Sequence, residues 1–141
     1  MEISYENPWL HKGQAVSSEI LDDYIGFVYL IVNMLSGKKY IGKKLLKFKR
    51  TKQVKGKKKK TTIESDWKNY YSSSDELKQD VEKLGVHNFK REILRLCKTK
   101  SELSYYEAKH QFEKDVLLSD GWYNKWISCR IRKSHLTFLN K

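Results

Sequence analysis

The chain contains little proline, little cysteine and no long apolar run. Pro8 is its one proline, so a proline-rich linker or a collagen-like repeat is excluded. Its longest apolar stretch, residues 25–35, is interrupted by Gly26 and Asn33. This stretch is shorter than the roughly 20 residues that cross a bilayer. No basic-then-apolar leader opens the sequence, so we expect a cytoplasmic protein with no membrane partner.

Cysteine usage argues against a disulfide-stabilised or zinc-stabilised fold. Cys97 and Cys129 lie far apart and form no CxxC pair, so buried structural thiols are expected. With 141 residues, 39% of them hydrophobic and 13% aromatic, the chain is long enough and apolar enough for one globular domain with its own core.

Acidic residues are missing from a long central segment. No Asp or Glu lies between Asp23 and Glu64, whereas residues 38–60 hold thirteen lysines and arginines. The formal net charge is +12, and residues 125–141 form a second basic segment. A solvated face or an anionic membrane surface could also account for a lysine run. DNA is the favoured partner, because lysines placed against phosphates release counterions and thereby supply affinity.

The apolar segment before the basic run predicts a β-hairpin. Residues 26–33 are rich in β-branched and aromatic side chains on both faces, which is typical of a central strand. Ser36-Gly37 marks the turn, and residues 39–42 form the return strand. Residues 43–50 alternate basic and apolar side chains and are predicted as a short amphipathic helix. Residues 51–63 are predicted as a lysine-rich loop.

The second half of the sequence predicts two capped helices around one strand. Ser73 with Glu76 forms a capping box for a helix that ends at Gly85. Residues 88–96 are predicted as a strand. Thr99 begins a helix running to about residue 118.

On that second helix the predicted core face carries four residues, and three others are assigned to the opposite face. The core face is Tyr105, Ala108, Phe112 and Val116, and the opposite face is Leu103, Glu107 and His110. The fold class is therefore α/β in the α+β sense: a small three-stranded, mainly antiparallel sheet flanked by helices. Residues 1–24 are an N-terminal extension, 25–126 the main domain and 127–141 a basic tail.

One pair of motifs resembles a known family. Phe27-Val28-Tyr29, then ten residues, then Tyr40-Ile41-Gly42, is similar to the two-part signature of the GIY-YIG nucleases, particularly their phage and homing-type members. The family's first glycine position is occupied by Phe27, with Gly26 one residue earlier. The resemblance covers about residues 26–126.

The resemblance implies a DNA endonuclease that depends on Mg²⁺ or Mn²⁺. Its catalytic residues would be Tyr29, Tyr40, Arg50, Glu107 and Asn124, with Glu107 as the metal ligand. Gly42 would support the site from behind these residues. His110, one turn from Glu107, could do the same or could be an ordinary helix histidine. Lysines expected to contact DNA are Lys43, Lys44, Lys47, Lys57, Lys58, Lys59, Lys60 and Lys68.

These residue types also suit phosphodiester hydrolysis on chemical grounds. Glu107 offers a hard oxygen to Mg²⁺, which usually keeps several waters and takes one or two carboxylates. Arg50 offers a bidentate fork to a phosphate. A tyrosine with a pKa near ~10 is a poor base unless neighbouring cations lower that pKa. Lysines 38, 39, 43 and 44, together with Arg50, are available for this.

Other interpretations remain open at this stage. Tyr29 and Tyr40 could be ordinary cross-strand aromatics, Glu107 a surface charge and Asn124 a turn residue. The competing function is a non-catalytic nucleic-acid-binding protein that uses residues 43–60, Trp67, Tyr70 and the 125–141 tail. Target specificity, biological role, oligomeric state and the choice of tyrosine as base are not determined by the sequence.

Overall fold

The computed structural model describes residues 5–140, apart from a few side chains in the strands and the last helix. The side chains outside the description are those of Arg50, Thr51, Lys52, Val54, Lys59, Lys60, Phe138 and Asn140. In the part described, no helix is long and apolar enough to cross a membrane.

Seven strands and two α-helices follow one another along the described part of the chain. They are β1 (Leu10–His11), β2 (Gln14–Ala15), β3 (Gly26–Asn33), β4 (Lys39–Leu45), β5 (Lys47–Val54), β6 (Lys57–Glu64), α1 (Asp75–Leu84), β7 (Phe89–Cys97) and α2 (Lys100–Glu113). Short 3₁₀ helices occupy Trp67–Asn69, Val86–Asn88 and Lys133–Asn140.

The main sheet has five strands in the order β2-β1-β7-β3-β4. The α+β class is as predicted, but the count of three strands is wrong. The two additional strands come from the N-terminal segment, where β1 pairs with β7 in parallel and with β2 antiparallel. Each is two residues long, too short to produce a recognisable hydrophobic alternation. Residues 5–24 thus complete the sheet.

Strand β3 lies at the centre of the domain, and its alternating side chains enter two separate cores. Phe27, Tyr29 and Ile31 join one core with α1 and the N-terminal segment, and Val28 joins the other with α2. The burial of both faces is as predicted for a central strand. Gly26, at the start of β3, permits close packing, because a Cβ there would lie 2.7 Å from Leu103 Cδ2.

Both helices begin at side-chain caps near the predicted positions. Ser74, one residue after the predicted Ser73, caps α1 by accepting from Leu77 N–H, and Thr99 caps α2 by accepting from Glu102 N–H. Helix α1 ends at Leu84 with Gly85 as its C-cap, as expected, whereas α2 ends at Glu113 rather than near residue 118.

The predicted core face of α2 is wrong in part. The buried helical residues are Leu103, Tyr106, Ala108 and Gln111, while Phe112 is 58% exposed. The helix is rotated relative to the prediction because it buries a glutamine, which an apolar pattern cannot register.

The basic segment 43–63 is a pair of strands. The predicted helix over 43–50 is wrong, because β4 continues to Leu45 and β5 begins at Lys47. The predicted loop over 51–63 is also wrong, because β5 and β6 pair antiparallel along their full length. Alternating lysine and apolar side chains suit a strand as well as a helix, and the strand register prevails here. We call residues 47–64 the lysine ribbon.

The two cysteines occupy different environments. Cys97 is buried, as expected, and burial raises the pKa of its thiol to about 12. Cys129 is exposed, so the expectation of a buried thiol is wrong for it. Both thiols are free.

Arg91 of β7 joins the N-terminal segment to the sheet. Its guanidinium lies between the rings of Trp9 and Tyr71, 4.7 and 4.3 Å from their centroids. It donates hydrogen bonds to the carbonyl oxygens of Asn7, Glu6 and Tyr70. The side chain is 1% exposed, and burial lowers its pKa to about 10.

Replacing Arg91 by leucine should lower the free energy of unfolding by about 2–4 kcal/mol, because three carbonyl groups lose their donor. Urea unfolding followed by circular dichroism measures the change. Lys90→Gln, at an exposed position on the same strand, is the matched control and should alter stability by less than about 0.5 kcal/mol. Equal effects of the two substitutions would contradict an anchoring role for Arg91.

Candidate active site on the outer edge of β4

The site is built on the outer edge of β4, the last strand of the sheet. In an antiparallel pair, alternate residues direct their backbone groups away from the partner strand. On β4 those residues are Lys39, Ile41 and Lys43. Lys39 N–H donates to Gly121 O over 3.0 Å, and Tyr123 N–H donates to Lys39 O over 2.7 Å. The segment after α2 therefore covers the first of the three.

Side chains satisfy the other two residues on this edge. Ile41 N–H donates to Asn124 Oδ1 (3.1 Å), and Asn124 Nδ2 donates back to Ile41 O (2.9 Å). Gln111 Nε2 donates to the same carbonyl (2.9 Å). The backbone N–H of Lys43 donates to the Glu107 carboxylate. Three parts of the chain thus meet along one strand edge.

A cleft of about 340 Å³ opens beside this edge, and we call it the β4 cleft. It brings together three of the five predicted catalytic residues: Tyr40, Glu107 and Asn124. Its other described lining residues are Lys43, Ser73, Ser74, Asp75, Glu76, Gln111, Tyr123, Lys125, Trp126 and Ser128. The Arg50 side chain lies outside the described residues, so its predicted place in the site stays a prediction.

Tyr29 lies behind the cleft, fully buried in the core beneath Gly42. A Cβ at Gly42 would come within 2.5 Å of Tyr29 Oη and 2.8 Å of Tyr40 Cε1. Only glycine therefore allows the Tyr29 and Tyr40 rings, whose centroids are 6.1 Å apart, to lie where they do. The Tyr29 hydroxyl donates a hydrogen bond to Tyr70. Tyr40 Oη instead reaches the cleft, 3.1 Å from Ser73 Oγ.

The environment of both tyrosines favours their neutral form. Burial raises the pKa of Tyr29 well above its usual range, and burial also raises the pKa of Tyr40, partly offset by the hydrogen bond to Ser73. Among the described residues, the lysines available for this purpose therefore do not lower these pKa values, and a contribution of Arg50 stays a prediction. Lys38 and Lys44 instead pair with Glu76 and Asp66, each at 2.6 Å.

Glu107 is a half-buried carboxylate on α2, facing the cleft. Burial raises its pKa, and the charge and backbone N–H of Lys43 act in the opposite direction. Among the residues described, no group of three or more His, Cys, Asp or Glu side chains could hold a metal ion. The Glu107 carboxylate could supply one hard oxygen ligand to Mg²⁺ or Mn²⁺, ions that often take only one or two carboxylates and fill their other positions with water. His110 is half-buried one turn further along α2, and burial lowers its pKa.

The predicted DNA-contacting lysines fall into two groups. Four are already engaged: Lys43 with Ser104, Lys44 with Asp66, Lys47 with Asp22 and Lys68 with Glu64. Lys57 and Lys58 are exposed on β6, and the side chains of Lys59 and Lys60 lie outside the described set. Contact of these lysines with DNA remains a prediction.

The sequence patterns did not indicate three residues of the cleft: Gln111, Lys125 and Trp126. Gln111 is 4% exposed, and its Oε1 has no hydrogen-bond partner among the described residues. Its position four residues after Glu107 places both on one helix face, and that spacing could have identified it. Trp126 is 74% exposed at the cleft rim, and Lys125 stands 3.7 Å from Glu76. These two follow Asn124 directly but carry no signal of their own.

Replacing Asn124 by alanine should lower the free energy of unfolding by about 1–3 kcal/mol, because the buried N–H of Ile41 loses its acceptor. Chemical denaturation measures this, with exposed Asn69→Ala as the control. If Asn124→Ala lost activity at an unchanged free energy of unfolding, Asn124 would act by contacting substrate rather than by holding the backbone of Ile41.

Comparisons with known proteins identify the family of the chain. A family model described as "Putative endonuclease segE, GIY-YIG domain" matches residues 9–127. The chain is similar to "Putative endonuclease segD" of Enterobacteria phage T4, with 32% identity over 103 residues, which are 73% of this chain and 38% of that protein. It is also similar to "Putative endonuclease segE" of the same phage, with 32% identity over 98 residues, 70% of this chain and 39% of that protein.

The matches cover only about two fifths of these relatives' own length. No solved structure matches the chain. The family model spans the strands from β1 to β7 and both α-helices, and it includes Tyr40, Glu107 and Asn124. The chain belongs to the GIY-YIG endonuclease family.

Proposed function

We propose that the protein is a divalent-metal-dependent DNA endonuclease that cleaves phosphodiester bonds in the β4 cleft. The observation that carries the proposal is the meeting of the Glu107 carboxylate and the Tyr40 hydroxyl in one open cleft. A carboxylate can hold a divalent ion and a hydroxyl can transfer a proton, and metal-assisted hydrolysis of a phosphodiester can use both.

Glu107 would hold Mg²⁺ or Mn²⁺. Such an ion, when bound, neutralises phosphate charge and favours ionisation of water. The hydrogen bond from the backbone N–H of Lys43 would orient the carboxylate for this role. A nearby cation stabilises the ionised form of a half-buried carboxylate whose pKa is raised by burial.

Tyr40 is the better candidate for proton transfer at the attacking water. Its hydroxyl borders the cleft, whereas Tyr29 is 0% exposed and hydrogen-bonded to Tyr70. Tyr29 would then act as a positioning residue that supports Gly42 and the Tyr40 ring. Because burial raises the pKa of Tyr40, its phenolate is scarce at neutral pH, and the positive charge of an ion held by Glu107 would favour the ionised form of Tyr40.

Cations near the cleft would hold the DNA strand. Lys43 and Lys125 line the cleft and are exposed. Arg50 would stabilise charge that develops on the phosphate, as the family resemblance implies. The DNA substrate is itself part of the proposal, because the matches cover less than half of the relatives' length.

Incubation of supercoiled plasmid with the protein and Mg²⁺ tests the function. Nicking should occur, should stop with EDTA, and should fall at least about 100-fold in Glu107→Gln, because the metal loses its carboxylate. Tyr40→Phe should lower the rate about 10²- to 10⁴-fold. Glu113→Gln, at an exposed position of the same helix, is the control and should retain activity.

Two outcomes would overturn the proposal. Activity unchanged in Glu107→Gln would remove the metal role of this residue. Tight, salt-sensitive DNA binding without metal-dependent nicking on any of several unrelated plasmids would favour the non-catalytic DNA-binding alternative.

Glu107 should also make stability depend on pH and on metal. Its pKa is raised in the folded state, so its favourable contribution exists below the pKa of the unfolded state and is lost as pH rises through the folded pKa. Without metal, Glu107→Gln should therefore unfold at a higher temperature than wild type at neutral pH. The difference should vanish near pH 4. Calorimetry measures it.

Added Mg²⁺ should raise the unfolding temperature of the wild type but not of Glu107→Gln, since a ligand stabilises only the form that binds it. An equal rise in both proteins would place the ion elsewhere.

A further inference from the structure

The lysine ribbon is a separate two-stranded sheet with a defined register. Eight residue pairs join β5 to β6, from Lys47 opposite Glu64 to Val54 opposite Lys57. The turn is Lys55-Gly56, and both residues have positive φ (51° and 76°), as a type I′ hairpin turn requires. At roughly 3.3 Å per residue, each strand is about 26 Å long.

The base of the ribbon is bonded to the rest of the domain. Ser65 N–H donates to Leu46 O (2.8 Å), and Ser65 Oγ donates to Leu45 O (2.6 Å). Ser18 Oγ and Trp67 Nε1 both donate to Glu64 Oε1, over 2.6 and 2.8 Å. These bonds fix the direction in which the two strands leave the core.

Beyond its base the described side chains of the ribbon are exposed, and its sequence is strongly basic. Residues 47–64 hold nine lysines and arginines against one acid, Glu64. Lys49, Gln53, Lys55, Lys57 and Lys58 are all exposed, so the positive charges among them face solvent. An isolated two-stranded hairpin is only marginally stable in water, and like charges crowded along it weaken it further. A polyanionic partner would relieve that repulsion.

We propose that the lysine ribbon inserts into the major groove of duplex DNA. The inference rests on the proposed function and specifies its substrate as double-stranded. The major groove, about 12 Å wide, admits a two-stranded β-ribbon in undeformed duplex, whereas the minor groove, about 6 Å wide, must be widened or bent before a ribbon can enter it. The lysines then reach the phosphates along both walls of the groove.

The composition of the ribbon argues against a single-stranded partner. Proteins that hold single strands combine basic grooves with several aromatic side chains on which bases stack. The ribbon has one aromatic residue, Phe48, and it stands opposite Ile63 near the base. Lysine, glutamine and threonine predominate in the rest of the ribbon. In protein–DNA complexes, residues of these types contact phosphates and base edges.

Chemical protection of duplex DNA by the Glu107→Gln protein in EDTA tests the inference without cleavage. Dimethyl sulfate methylates guanine N7 in the major groove and adenine N3 in the minor groove. We expect protection of guanine N7 over a short tract and none of adenine N3. Protection of adenine N3 alone, or of neither, would overturn the proposal.

A charge-matched pair of triple variants, made in the same background, provides a second measurement. Lys55, Lys57 and Lys58 changed together to glutamine should weaken duplex binding about tenfold or more. The slope of log affinity against log salt should fall by about 2 to 3, at roughly 0.9 for each phosphate that is no longer neutralised. Lys12, Lys78 and Lys83 are exposed lysines outside the ribbon and the cleft, and the same change there is the control.

An equal loss of affinity in both triple variants would overturn the ribbon as the docking element. So would a ribbon variant that binds duplex as tightly as its parent. Thermal unfolding of each variant verifies that the fold is intact. Failure here with Mg²⁺-dependent nicking retained would refute the ribbon alone, whereas absence of nicking with guanine N7 protection would refute only the catalytic proposal.

Discussion

The candidate site depends on the outer edge of β4, where backbone groups point away from β3 and need other partners. Backbone groups at a sheet edge must find partners or remain in contact with water. Here Lys39 is paired by the backbone around Trp122, Ile41 by Asn124 and Gln111, and Lys43 by Glu107. The hydrogen bonds that close the sheet thus also place the carboxylate and the tyrosine. Stability and site geometry share one set of interactions.

This sharing has an energetic consequence for α2. The helix presents Gln111 and Glu107 to the strand edge in place of apolar side chains, and burial disfavours the ionised form of Glu107. Part of the hydrophobic stabilisation that a fully apolar face would provide is therefore absent. The N-terminal segment adds burial on the opposite face of the sheet, where Trp9 packs against Phe27 and Tyr29 with ring centroids about 5 Å away.

Much of this architecture could be predicted from the sequence, because its strongly patterned elements carry a clear local signal. Strand β3, the start of β4, strand β7 and the caps of both helices follow from local chemistry. The lysine ribbon could not be assigned, since its first residues suit a helix as well as a strand and residues 51–63 contain too few apolar side chains to show a strand period. The buried face of α2 was missed because Gln111 is buried for a hydrogen bond to Ile41, and such tertiary contacts leave no hydrophobic period. Glu107 and Asn124 were identified through the family resemblance. Their common position on the outer edge of β4 is visible only in the folded structure.

The unequal burial of the two thiols has a practical consequence. Cys129 is exposed one residue beyond Ser128, which lines the β4 cleft, while Cys97 is buried in the core that α2 covers. A thiol reagent would therefore attach one probe next to the cleft of the folded protein. The second thiol would become reactive only when the α2 core opens. Cys129 thus offers a labelling position, and the rate at which Cys97 reacts would report how often the α2 core opens. Neither measurement needs an engineered cysteine.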